Sequence, residues 1–473
     1  MPTYQNCLCT LARRSFAVLV ALAAWQLFPA AVPLSAQQAS ITLSQAVEQA
    51  VSKYPAIAAS LEQVSAAAAG INLARTAYLP RADFLGQINR ATRNSVFGLL
   101  LPQGGIPSIS GPVLGTNNFT NVWGSAAGLL VSWEPFDFGL RRANVEAAES
   151  SRGRAEAGAG VTRLQVGTGA ADSFLTLLAS QQVVIAARAG LERARVLYQV
   201  TDALAQNGLR PGADAARARA EVAFAETQLI QAEQAVDVAR VALANLLGIQ
   251  AAQTVVQPGP LLDAPPAAAP PAGALADHPL ARQQDAAVQE TQALQRALQH
   301  SYYPRFFLQG STYGRGSGAR VDGTTGGPFS GFGPSVQNWA IGLTVTFPAM
   351  DLPSIHAREQ VQLHQERAAV AQYKRILQDL EMQFEQAQAR LQGARRVAQN
   401  TPIELDAART AEQQATARYK SGLGNIVEVA DAARLRTQAE IDDSLAKLGV
   451  WRALLGVAVA QGDLQPFIQM AGR

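Results

Sequence analysis

The chain has 473 residues, a formal net charge of +3 and 16% charged residues, so no polybasic run points to nucleic acid. Its length would allow two or three ordinary domains, but a duplication argues for one architecture built from two halves. Both cysteines, Cys7 and Cys9, lie near the N-terminus, so the rest of the chain has neither a disulfide nor a thiolate metal site.

Residues 1–36 read as a secretory signal. Arg13 and Arg14 precede an apolar run from Phe16 to Leu27, and small residues around Ser35 and Ala36 offer a cleavage site. The run is short for a transmembrane helix; a retained anchor is the alternative. No cysteine follows it where a lipid anchor could form. Past residue 40 no apolar run of transmembrane length is evident, so membrane insertion would fall to strands.

Residues 37–80 form the N-terminal helices of the first half. Ile41, Leu43, Ala46, Val47 and Ala50 fall at helical spacing, and Pro55 ends a short first helix. At 81–133 the period changes to two: Trp123, Ala127, Leu129, Val131 and Trp133 share one face, and the partner strand starts near Arg81. A Gly-, Pro- and Asn-rich loop, about 94–121, separates them. Residues 137–248 form a long helix pair, in which Gly153, Gly158, Gly160, Gly167 and Gly169 each cost about 1 kcal/mol relative to Ala. The Pro/Ala-rich linker, 249–276, is expected to be extended and exposed. A second-half helix occupies 277–304 and a second hairpin 305–347, where Trp339, Ile341, Leu343, Val345 and Phe347 alternate with small or polar residues. The second long helix pair spans 352–462, with a kink expected at Pro402. A tail, 463–473, has no evident role.

The halves repeat. Gly208 to Gly248 and Gly422 to Gly462 align without a gap, 422 − 208 and 462 − 248 both being 214. Each copy opens with Gly-Leu, carries an acid six residues on (Asp214, Glu428) and runs Pro-free from there to its closing Gly. That order describes a tight turn feeding a long helix. His278-Pro279 and Tyr303-Pro304 repeat the layout of Pro55 and Pro80, both pairs of prolines being 25 apart. The offset there is 224, so the first hairpin holds about ten extra residues, mostly loop.

Four strands cannot close a barrel, and an open edge cannot face lipid. Two hairpins per chain therefore demand a barrel shared between chains or a soluble sheet. Trp123, Trp133, Trp339 and Phe347 near the strand ends suit an interfacial girdle; packing inward in a soluble sandwich is the alternative.

The segments ITLSQAVEQAVSKYPAI, GLLVSWEPFDFGLRRANVEAAES and RYKSGLGNIVEVADA, with the two Gly-Leu repeats, resemble the TolC-type outer-membrane efflux proteins over about Ile41 to Gly462. The most specific pieces are Trp133 to Ala143 and Tyr419-x-x-Gly422. The resemblance implies a mainly α fold with a β-barrel part. Each chain would supply four strands to a trimeric, twelve-stranded transmembrane barrel, continued by a duplicated α-helical barrel into the periplasm. It implies a passive homotrimeric exit duct in outer-membrane lipid, with a periplasmic adaptor and an inner-membrane transporter as partners. The cargo would be drugs or other small molecules. Type I protein secretion is the alternative cargo route, and a secreted coiled-coil structural protein is an alternative of another class.

The same resemblance places an acidic ring at the periplasmic aperture, carried by Glu428 and Asp431. They are three apart on one helix, so three copies would gather six carboxylates and attract polyvalent cations. Solvated acids near a helix N-terminus are the plainer reading. Tyr419 and Asp214 match a hydrogen bond that holds the tips shut. The best-known relative has an arginine where this chain has Gly424, so a latch based on that cation is absent. Gly208, Leu209, Gly422 and Leu423 match the surface that meets the adaptor. No enzyme is expected: His278, His300, His356 and His364 form no HExxH, and a lone histidine here reads as a solvated surface residue. No GxSxG elbow accompanies a triad, and no cofactor, metal or nucleotide site is expected.

Overall fold

The computed structural model describes residues 40–92, 119–263, 266, 273–320, 322 and 324–472. The leader at 1–36 with Cys7 and Cys9, most of the first hairpin loop and part of the linker lie outside them.

Helix α1 (Leu43–Lys53) starts on a capping box. Thr42 Oγ1 accepts from the Gln45 amide at 3.3 Å, and Gln45 Oε1 accepts from the Thr42 amide at 3.0 Å. Pro55 then occupies the first position of α2 (Pro55–Thr76), where a missing N–H costs nothing. Strands β1 (Arg81–Thr92) and β2 (Asn121–Phe136) lead into α3 (Leu140–Gln206) and α4 (Gly212–Leu247). The second half repeats the order with α5 (Pro279–Gln299), β3 (Arg305–Ser317), β4 (Val336–Thr346), α6 (Leu352–Lys420) and α7 (Ile426–Gln461). Helices α4 and α7 are both 36 residues long. Helix α3, with 67 residues, spans about 100 Å at 1.5 Å per residue.

The four strands form one antiparallel sheet in the order β1-β2-β3-β4. Its register aligns Phe84 with Leu129, Leu129 with Thr312 and Thr312 with Trp339; it also aligns Val131 with Gly310 and Gly310 with Ile341. Opposed residues share a face, so an apolar band crosses the whole sheet. That band is open to the surroundings: Phe84, Trp339 and Ile341 are 78%, 76% and 72% exposed. The other face brings together Asp83, Gln87, Gln309, Ser311, Arg315 and Asn338. An apolar exterior with a polar interior suits a lipid-facing wall around a wet lumen. The outer edges of β1 and β4 have no partner strand among the described residues.

The apolar core lies midway along the helices. Phe174, Leu175, Leu177 and Leu178 of α3 pack with Leu43 and Val47 of α1, Leu243 and Leu247 of α4, and Trp451, Leu454 and Val457 of α7. Burying each large side chain contributes about 1.5–3 kcal/mol. The expectation that no apolar run of transmembrane length lies past residue 40 is corrected by helix α3. Helix α3 contains an 18-residue window of mean hydropathy 1.4, apolar enough by composition to cross a membrane, with 39% of it buried. Its apolarity is accounted for by the core cluster it carries.

Two expectations are corrected here. The linker is not wholly exposed: Leu261 is 1% exposed in the core, Ile41 bridges Val256, and Pro266 O accepts from Arg395 at 3.4 Å. The tail is structural, because Gln465–Ala471 forms helix α8 and its Phe467 is fully buried 6.3 Å from the Trp451 ring. Gly167 lies beside this docking site, where a Cβ would come within 2.8 Å of Leu464 Cδ1, the movable end of that side chain. Helix α6 runs through Pro402 unbroken, and the neighbouring Thr401 donates to Asp443 of α7 at 3.3 Å.

His278 is also corrected. It is 5% exposed and caps α5: Nδ1 accepts from the Leu280 amide at 3.1 Å, and Nε2 lies 3.1 Å from Val459 O. Both contacts are met when Nε2 carries the proton and donates. Burial pushes its pKa below the ordinary value, opposed by the bond to Val459.

Candidate functional site at the helical tips

At the end opposite the sheet each half turns back on itself. The α3–α4 turn places Gly208 at φ 70°, and the α6–α7 turn places Gly422 at φ 79°, the left-handed region that glycine enters without strain. The last carbonyls of α6 are closed by the turn: Arg418 O accepts from Leu423 N at 2.9 Å and from Gly424 N at 3.1 Å. Both turns hold their leucines outward, Leu209 at 69% and Leu423 at 76% exposure.

The structure brings Tyr419 and Asp214 together. The Tyr419 hydroxyl donates to Asp214 Oδ2 at 3.2 Å across the two helix pairs. The Tyr419 side chain is buried against Ile426 and Val429, with Leu197 and Ala415 beside it. Burial raises its pKa, as do the charge of Asp214 and the hydrogen bond to it; the charge of Arg210 acts the other way.

Sequence reasoning missed Arg210. Its guanidinium lies 4.6 Å from the centre of the Tyr419 ring, and Nη2 donates to Tyr419 O at 2.6 Å. Space beside Gly424 is tight. A Cβ on Gly424 would approach Arg418 Cβ at 3.2 Å, and Glu428 Oε2 and Tyr419 N at 3.3 Å.

The two acids have different surroundings. Glu428 lies 3.9 Å from Arg418 Nε, and its amide is capped by Asn425 Oδ1 at 2.9 Å. Asp431 lines a cavity of about 1320 Å³ between the α3/α4 and α6/α7 pairs. Leu197, Phe224, Val429 and Ile441 supply apolar wall to that space. Polar ties cross it. Arg434 makes a bidentate pair with Glu221 at 2.8 and 2.9 Å and stacks over Phe224 at 4.7 Å. Further from the tips, Arg193 bonds Glu440 at 2.9 Å and Thr437 at 2.8 Å across the pairs, while Arg436 bonds Glu412 at 2.6 Å within the α6/α7 pair. The sequence pattern gave no pointer to these pairs beyond scattered charges on helices.

A duplicated pair of long helices, carried on a four-stranded sheet with an apolar outer face, defines a channel-forming subunit. The family model for outer membrane efflux proteins matches residues 34–249 and 271–463, and the chain belongs to that family. Its fold resembles the Campylobacter jejuni CmeC outer membrane channel, with 18% identity, a TM-score of 0.70 and coverage of 89% of this chain and 85% of that one. VceC from Vibrio cholerae aligns with 17% identity and a TM-score of 0.69, covering 89% and 96%. The open-state MtrE channel of Neisseria gonorrhoeae aligns with 19% identity and a TM-score of 0.67, covering 89% of each chain. At these identities the likeness establishes the fold. No curated protein matches the sequence. The chain is an outer-membrane channel component and not an enzyme, with its helical part in the periplasm. Trimeric assembly is typical of the family.

Proposed function

We propose that this chain forms a homotrimeric, passive exit duct of a tripartite efflux system, carrying drugs or other small molecules. The observation that carries this reading is the sheet. Much of its apolar face is exposed, and its two outer edges have no partner strand among the described residues. Backbone groups on those edges cannot face hydrocarbon unpaired, so β1 of one copy pairs with β4 of the next until the wall closes. Three copies give twelve strands. Energy comes from an inner-membrane transporter, reached through a periplasmic adaptor that meets Gly208, Leu209, Gly422 and Leu423. The exposure of Leu209 and Leu423 supports that contact. Tyr419 with Asp214 holds the tips shut, and Glu428 with Asp431 lines the aperture.

Single-particle imaging of detergent-purified protein tests the assembly. A threefold, hollow particle with a tunnel of about 100 Å is expected; a monomer or a solid assembly would overturn the duct. Cargo is tested by deleting the gene and measuring sensitivity to a panel of toxic small molecules. Raised sensitivity is expected. Unchanged sensitivity together with loss of a secreted protein would move the chain to protein secretion.

A further inference from the structure

We infer that Arg210 helps to hold the tips closed by tying the α3–α4 turn to the end of α6. The inference rests on the reading of Tyr419 and Asp214 as a gate, and it adds a third contact to that gate. Three observations converge. Gly424 has no side chain and so supplies no cation at the α6–α7 turn. Arg210 stands on the α3–α4 turn, yet its contacts are to α6, so it ties one helix pair to the other. Those contacts are of two kinds, and a planar cation suits both.

The first contact is with the C-terminus of α6. Tyr419 O is among the last carbonyls of that helix and also accepts from Gly422 N at 3.1 Å. Such carbonyls carry the negative end of the helix dipole, so a guanidinium donating at 2.6 Å is favoured by charge as well as by the bond. The second contact is with the ring. The guanidinium covers the face of Tyr419 while the hydroxyl of the same residue reaches Asp214. Tyr419 is therefore gripped by α4 through Asp214 and by the turn preceding α4 through Arg210. Swinging the α6/α7 pair away must break both grips together. Lysine would keep the charge but not the flat face or the fork of donors.

The test is closed-state conductance of the purified assembly in planar bilayers, with thermal stability measured alongside. Arg210→Ala is expected to shift the closed-to-open ratio by roughly tenfold, as for loss of one charge-assisted hydrogen bond, without lowering the unfolding temperature of the core. Arg210→Lys is expected to fall between Ala and wild type, and it serves if the alanine variant does not assemble. With Tyr419→Phe in the same assay, the outcomes separate. If Tyr419→Phe raises conductance and both Arg210 variants match wild type, Arg210 is not a gate element although the gate reading stands. If neither Tyr419 nor Arg210 variants change conductance, the gate reading falls and this inference with it.

Discussion

The middle of the helices and their tips are built from the same two helix pairs but held together by different forces. At the middle, Phe174, Leu178, Trp451, Leu454 and Phe467 interdigitate with almost no exposure. At the tips the pairs stand apart around a cavity of about 1320 Å³, spanned by a phenol, a few arginines and their carboxylates. Apolar packing is close and unforgiving of displacement, whereas hydrogen bonds and ion pairs can be exchanged for water at small net cost. The difference teaches where movement belongs. A duct that must stay assembled and yet open needs a fixed waist and releasable ends.

The largest expected effect breaks the waist. Trp451→Ala should destabilise the protein by about 3–5 kcal/mol, read by denaturant unfolding, with Phe467→Ala behaving alike because the two rings pack together. Tyr419→Phe comes next and should spare the waist. Losing a hydrogen bond to a carboxylate is worth about 1.5–3 kcal/mol, and it should appear as higher closed-state conductance at unchanged core stability. An unaltered channel would count against the latch.

How much of this was legible in the sequence follows the same division. Periodicity and turn chemistry are local, so the Gly208 and Gly422 turns, the alternation of β4 and the gapless repeat could be read directly. That each strand has one apolar face followed from period two; that the face is exposed did not. What could not be read depends on distant segments meeting. Leu261 and Phe467 sit in Pro-rich or terminal stretches without periodicity, and only the folded core shows what they touch. Arg210 was invisible because its partner is 209 residues away. His278 looked like any isolated histidine until burial and Val459 defined it.

His278 sharpens the comparison from the waist side. Its folded pKa is lowered, so the folded state binds the proton less readily than the unfolded chain. The stabilisation is present above about pH 6.5, the value of a free imidazole, and is lost as pH falls below it. Stability measured from pH 8 to pH 5 should decline through that window. His278→Asn, which keeps a capping side chain without titrating there, should flatten the decline; an unchanged profile would assign it to other groups.

The smallest effect is expected at the aperture. Exchanging Glu428 for Gln and Asp431 for Asn should weaken block by multivalent cations. The change should be modest, because Arg418 already stands 3.9 Å from Glu428. Full wild-type block in the double variant would remove these acids from the aperture.

Hydrogen exchange on the assembled protein tests the division between waist and tips most directly. Amides of Ala170–Leu178 and Val450–Ala458 should be the slowest to exchange and those around Arg418–Val429 markedly faster. Tyr419→Phe should speed the tips alone. Equal protection along the helices, or a Tyr419→Phe effect that reaches the waist, would contradict the account.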